Sequence, residues 1–242
     1  MPSTIPFIHQ TPSEAIAEAV EKRIVLGDRS FQVRYPGNPD ALLDHPETHA
    51  AFQADEYMPY WADLWPSARM LSQAMLDLPE GWIGCRAMEV GCGVGLPGVV
   101  ALSLGARVIF SDYDRAALTF AQQNALANGF DSDQFELLPL DWRSPPASLR
   151  VDRLLASDVI YERRNIPPLL VLIQSVLQPA GECWLVDPNR PFQSEFEVAL
   201  EAAGFQFEKV VLSTQLEVDA QSSQAATQSV SGTLFRIHQA SC

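Results

Sequence analysis

A chain of 242 residues, 47% hydrophobic and 19% charged, has the profile of a globular protein and enough length for one full α/β core. Its formal net charge of −14 would repel phosphates, which argues against nucleic acid and is compatible with a basic protein partner. Four scattered cysteines without a C-x-x-C, four histidines without a converging third ligand, no bilayer-length apolar run and no secretory leader pattern point to reduced thiols, no metal, no membrane and a cytoplasmic location.

In chain order, residues 12–22 read as a short helix. Residues 24–26 and 31–34 flank Gly27-Asp28-Arg29-Ser30 as a hairpin, and 35–39 as a turn. Residues 1–56 are expected to form an N-terminal extension packed on a main domain spanning 57–242. A helix over 66–78 places Leu71, Met75 and Leu78 on one face. Strands near 86–90, 107–112, 135–139, 153–157 and 183–187 then alternate with helices near 97–104, 114–128, 167–177 and 192–203. That alternation predicts parallel pairing with right-handed crossovers. Residues 205–212 and 233–238 have no helix between them and should pair antiparallel. The Gln-, Ser- and Ala-rich segment 219–231 reads as a mobile loop. The expected fold is α/β, a Rossmann-like, mostly parallel seven-stranded sheet with an antiparallel edge hairpin and helices on both faces.

The run Glu89-Val90-Gly91-Cys92-Gly93-Val94-Gly95-Leu96-Pro97-Gly98 reads as strand, tight turn and helix start. Glycines let the backbone approach a ligand, and Pro97 suits a first helical turn. Asp112 ends the next strand 21 residues after Gly91, where a carboxylate commonly accepts both hydrogen bonds of a ribose diol. Tyr113 is placed to cover an adenine face, and Asp114 suits an N-cap. The ligand therefore bears a nucleoside, and two cofactors compete. Gly93 to Gly98 also spells G-x-G-x-x-G, the dinucleotide fingerprint, but its first glycine lies late for a pyrophosphate turn. Glu89 suits instead the ammonium of S-adenosylmethionine, with Glu89, Gly91, Gly93 and Gly95 cradling the methionine part. The motif alone leaves both open.

Three further segments accompany it: Tyr60-Trp61-Ala62-Asp63-Leu64-Trp65-Pro66, Ser157-Asp158-Val159-Ile160-Tyr161-Glu162, and Val186-Asp187-Pro188-Asn189-Arg190-Pro191. Together with the glycine run they resemble the seven-β-strand, class I methyltransferases of methyltransferase family 16, over roughly residues 57–210. The resemblance implies S-adenosyl-L-methionine as cofactor and N-methylation of a lysine on a protein substrate. It implies that Trp65 and Ser157 contact the donor, and that Asp141 and Trp142 hold adenine, Asp141 accepting from the N6-amino group. It places catalysis on the Asp-x-x-Tyr pair: Asp158 aligning the attacking amine and Tyr161 packing along the lysine stem. The residues leave room for a small nitrogen or oxygen acceptor, a non-catalytic donor-binding or partner-binding domain, or a nicotinamide oxidoreductase.

Overall fold

A computed structural model describes residues 9, 11, 19–218 and 226–239. Strands β1 (Ala19–Leu26) and β2 (Arg29–Pro36) form a separate antiparallel hairpin turning at Gly27. Residues 19–22, expected in a helix, are strand. The ladder from Ala19↔Pro36 to Lys22↔Val33 gives them backbone partners, whereas a short isolated helix must overcome a costly nucleus. Residues 12–18 of that expected helix lie outside the described residues.

Two helices the sequence did not announce follow. Helix α1 (Pro39–Leu43) is capped by the Asn38 side chain, and α2 (Pro46–Asp55) by His45. His45 is thus engaged in a cap, and among the described residues no three His, Cys, Asp or Glu side chains cluster for a metal. A 3-10 turn, Tyr60–Ala62, leads into α3 (Pro66–Asp77).

The remaining elements are β3 (Arg86–Val90), α4 (Leu96–Ser103), β4 (Arg107–Asp112), α5 (Arg115–Ala127), β5 (Phe135–Pro139), β6 (Val151–Ser157), α6 (Ile166–Val176), β7 (Leu177–Asp187), α7 (Gln193–Ala202), β8 (Phe205–Val218) and β9 (Ala226–Gln239). They build a seven-stranded sheet in the order β5-β4-β3-β6-β7-β9-β8. Strands β3 to β7 run parallel, and β9 is antiparallel to both β7 and β8. Helices α3, α4 and α5 bury one apolar cluster against the sheet, together with Ile24, Leu26, Phe31 and Val33 of the hairpin; α6 and α7 bury a second. The expected α/β architecture is therefore observed. The β8–β9 ladder is longer than expected, running from Phe205↔Gln239 to Val218↔Ala226. Residues 226–231, expected in a loop, pair because a polar, β-branched ladder such as Thr214↔Val230 extends an existing register; 219–225 lie outside the described residues. No helix among the described residues is long and apolar enough to cross a membrane.

Two side-chain amides fasten the hairpin. The Asn128 side chain accepts from Gln32 N at 2.9 Å and donates to Gln32 O at 2.7 Å. Asn124 treats Arg34 likewise, at 2.7 and 2.9 Å, and also donates to Val94 O at 2.8 Å.

Strand β3 pairs with β4 on one side and β6 on the other. Connections leave it in opposite directions there, which opens a crevice beyond the carboxyl ends of the strands.

Candidate active site

The glycine turn after β3 lies at that crevice. Gly93 has φ +52°, and a Cβ there would come 3.1 Å from Trp61 O, so the segment before α3 packs directly on the turn. Gly93 N donates to Asp112 Oδ2 at 2.9 Å, and Asp114 N donates to Asp112 Oδ1 at 2.9 Å. Burial pushes the Asp112 carboxyl up to about 7, against the pull of these backbone donors.

A cleft of about 230 Å³ opens beside the turn. Ten of the expected site residues share its wall: Trp65, Gly91, Gly93, Asp112, Tyr113, Asp141, Trp142, Ser157, Asp158 and Tyr161. Glu89 and Gly95 do not. Glu89 turns beneath the glycine run, 1% exposed, where Oε2 accepts from Gly98 N at 2.8 Å and Oε1 has no partner among the described residues. Burial pushes its carboxyl well above the ordinary range, and its side chain lies outside the cleft wall where the ammonium contact was expected. Gly95 is the N-cap of α4, packed against Ala121 and Phe110.

Asp141 reaches the wall with its carboxylate already engaged. Arg143 Nε lies 2.9 and 3.0 Å from its two oxygens, and Nη2 2.8 Å from Oδ2. The same guanidinium grips Asp55 at the end of α2, with both contacts at 2.8 Å. Tyr113 donates to Asp55 Oδ2 at 2.7 Å beneath it. Hydrogen bonding to Arg143 holds Asp55 below the usual carboxylate range. Arg164 donates to the carbonyls of Asp55 and Glu56 at 3.3 and 3.2 Å. Two arginines thus pin the end of α2 across the cleft, an arrangement no local pattern in the sequence announces.

At the other end, Asp158 (φ +56°) follows β6, its N–H bonded to Val186 O. Arg190 grips both of its oxygens, Nε to Oδ1 and Nη2 to Oδ2, each at 2.9 Å. The guanidinium lies 5.7 Å over the Trp65 ring. Arg190 N donates to Asp187 Oδ2 at 2.8 Å, and burial pushes Asp187 up to about 6. Tyr60, absent from the expected set, meets Tyr161 edge-on at 5.2 Å and Trp65 at 6.3 Å. Asp158 and Tyr161 thus share the cleft wall, but the Arg190 fork on one and the Tyr60 ring on the other were not expected from the sequence.

The sequence profile described as lysine methyltransferase, methyltransferase family 16, matches residues 51–197. The chain belongs to this family. The matched stretch runs from within α2 to within α7, so it contains the whole cleft wall just described. Among relatives, a histidine protein methyltransferase 1 homolog of Dictyostelium discoideum is 34% identical over 113 residues, 45% of this chain and 37% of that protein. A histone-arginine methyltransferase of Mus musculus is 27% identical over 188 residues, 72% of this chain and 70% of that protein. An electron transfer flavoprotein beta subunit lysine methyltransferase of Rattus norvegicus is 27% identical over 135 residues, 55% and 52% of the two chains. The chain thus spans 37% of the Dictyostelium relative's length and about half of the rat protein's. Among solved structures, the 16S rRNA N2 G1207 methyltransferase of Thermus thermophilus superposes with a TM-score of 0.59 at 18% identity, covering 91% of this chain and 51% of that one. A ribosomal protein L11 methylase of Lactobacillus delbrueckii gives 0.51 at 20% identity, over 72% and 79%. These superpositions establish the fold.

The elevated Asp112 carboxyl has a measurable consequence. Its native value of about 7 exceeds the ordinary 3.8, so between those values the native state binds more protons than the unfolded chain. Its contribution is fully present below about 3.8 and is lost as pH rises through about 7. Replacing Asp112 with Asn should therefore flatten the decline in thermal stability from pH 4 to pH 7. Parallel melting curves for the two proteins across that window would contradict this.

Proposed function

We propose that the protein transfers a methyl group from S-adenosylmethionine to a side-chain nitrogen of a protein, lysine foremost. The observation that carries this reading is that one cleft joins the glycine turn and Asp112 at one end to Asp158 and Tyr161 at the other. The residues fit the donor. Both Asp112 oxygens accept backbone N–H groups, and an ionised carboxyl offers about four lone-pair sites, so the carboxylate keeps capacity toward a ribose hydroxyl. Tyr113 and Trp142 flank the base position, Gly91 and Gly93 admit the methionine chain closely, and Trp65 borders the acceptor end. Glu89 lies beneath the glycine run, bonded to Gly98 N and outside the cleft wall.

When bound, the donor supplies a methyl group already activated on a sulfonium, so the protein's task is orientation and exclusion of water. A lysine must arrive as the free amine, and its reference pKa is about 10.4. The cleft presents the Asp158–Arg190 pair, which does not hold an ammonium as a bare carboxylate would. Together with desolvation, this favours the neutral amine. Asp158, fixed by the arginine fork, offers remaining lone pairs to align an amine N–H, while the Tyr161 and Tyr60 rings flank the apolar stem. The Asp-x-x-Tyr pair and the family's own description support lysine. The Dictyostelium and mouse relatives are named for histidine and arginine, so those nitrogens are the competing acceptors.

The same proposal takes residues 1–56 as an extension of a catalytic domain spanning 57–242. The charge of −14 favours a basic protein over nucleic acid as partner. Cys85, Cys92 and Cys183 are free and buried, which suits a cytoplasmic, reducing setting. The test is incubation of the protein with labelled methyl donor and lysate, followed by mass mapping. Label on a protein lysine is expected; label confined to small molecules would reject the reading.

A further inference from the structure

Behind the ribose end of the cleft, three chain segments converge on one carboxylate. Asp114 is fully buried and needs only Ala116 N, at 2.7 Å, to serve as the N-cap of α5. It receives much more. The Tyr57 hydroxyl donates to Oδ2 at 2.5 Å, the Thr11 hydroxyl to the same oxygen at 2.5 Å, and Thr11 N to Oδ1 at 3.2 Å. Trp61 Nε1 donates to the Tyr57 hydroxyl at 3.1 Å, and the His9 ring lies 3.9 Å from the Tyr57 ring. The His9 backbone seals the turn, its N–H bonded to Tyr113 O at 3.0 Å and its carbonyl to Arg115 N at 3.1 Å. Asp114 N in turn donates to Asp112 Oδ1. Burial and the Asp114 charge raise the Tyr57 phenol above its ordinary value, so it remains a proton donor.

The structure assigns Tyr57 and Thr11 as positioning residues for the carboxylate of Asp112, acting through Asp114. The assignment rests on the reading that Asp112 holds the donor's ribose. The Tyr57 hydroxyl is consumed by Asp114 and Trp61, so its effect on a ligand passes through the Asp112–Asp114 turn. A turn tied at both carboxylates cannot swing Asp112 off the diol. Loosening it costs the ligand only the hydrogen bonds that Asp112 makes.

That restriction provides the test. S-adenosylhomocysteine and its 2′,3′-dideoxy counterpart are titrated calorimetrically into the full-length wild type, Tyr57→Phe and Thr11→Val. Each substitution is expected to weaken S-adenosylhomocysteine about tenfold, the scale of one hydrogen bond to a charged group. The affinity for the 2′,3′-dideoxy ligand should stay within about twofold of wild type, because it has no hydroxyl left for Asp112 to hold. Equal weakening of both ligands would show a merely structural role and overturn the assignment, as would unchanged affinity for S-adenosylhomocysteine in both variants. A wild type that binds neither ligand would overturn the proposed function, and this inference with it.

Discussion

Asp158→Asn is expected to lower the rate of methyl transfer by about a hundredfold, the scale of loss when a reacting group is misplaced by about 1 Å. Affinity for S-adenosylhomocysteine should stay within about threefold, since donor and acceptor groups are separate. Asparagine is the informative replacement. Asp158 sits at φ +56°, a region Asn tolerates and Ala does not, so the backbone and the Val186 bond survive while the charge is lost. Arg190 then faces a neutral amide at a site where both of its contacts were 2.9 Å. Arg190→Ala should cost a similar factor by the complementary route, leaving the Asp158 side chain free to rotate. The two losses should not add in the double variant, because each removes the same fork. Single-turnover transfer from labelled donor reads all three. Turnover of Asp158→Asn within about threefold of wild type would remove this carboxylate from the mechanism.

Gly98→Ala is expected to be the most destabilising small substitution at the glycine run. An added Cβ would lie 2.2 Å from Phe110 Cε1 and 2.7 Å from Glu89 Oε2. Phe110 is fully buried in β4 and packs edge-on to Phe135 at 5.8 Å, so it has no room to retreat. Alanine gains about 1 kcal/mol in helix propensity over glycine, but overpacking costs about 1–3 kcal/mol or more. Displacing Gly98 also strips Glu89 of its hydrogen-bond donor, adding about 1–3 kcal/mol for an unsatisfied buried group. The clash wins, and a net loss of about 3 kcal/mol corresponds to a melting point lower by about 6–12 °C for a chain of this size. Trimming Phe110 to Leu in the same chain should return part of the loss. A melting point for Gly98→Ala within about 2 °C of wild type would refute the packing argument.

What the chain discloses before any coordinates are known follows from the range of the forces involved. Strand–turn–helix punctuation is local, so Gly91, Gly93, Asp112, Asp158 and Tyr161 could be placed at the ends of their strands and all reached one cleft. Glu89 shows the limit: periodicity puts a residue on a strand but does not say whether its side chain points to the crevice or under the helix. Asp141 shows another, since its partner Arg143, 2 residues away, is shared with Asp55, 88 residues from that arginine, and only the fold unites the three. Helix α2 buries only Thr48 and Ala51; with so faint an apolar stripe, its place over the cleft depends on arginines from distant loops. The polar ladder of β8 and β9 resembled a linker because serine, threonine and glutamine composition does not reveal a partner strand.

Asn124 and Asn128 make a helix serve as the next strand for the hairpin. Each amide offers one donor and one acceptor, the complement of one backbone residue, and their spacing of four on α5 matches the alternate residues 32 and 34 on β2. A strand margin closed in this way offers no template for a second copy of the chain to extend. At this margin of β2 the blocking falls to two uncharged side chains, one within α5 and one at its C-cap, rather than to a lysine or a proline.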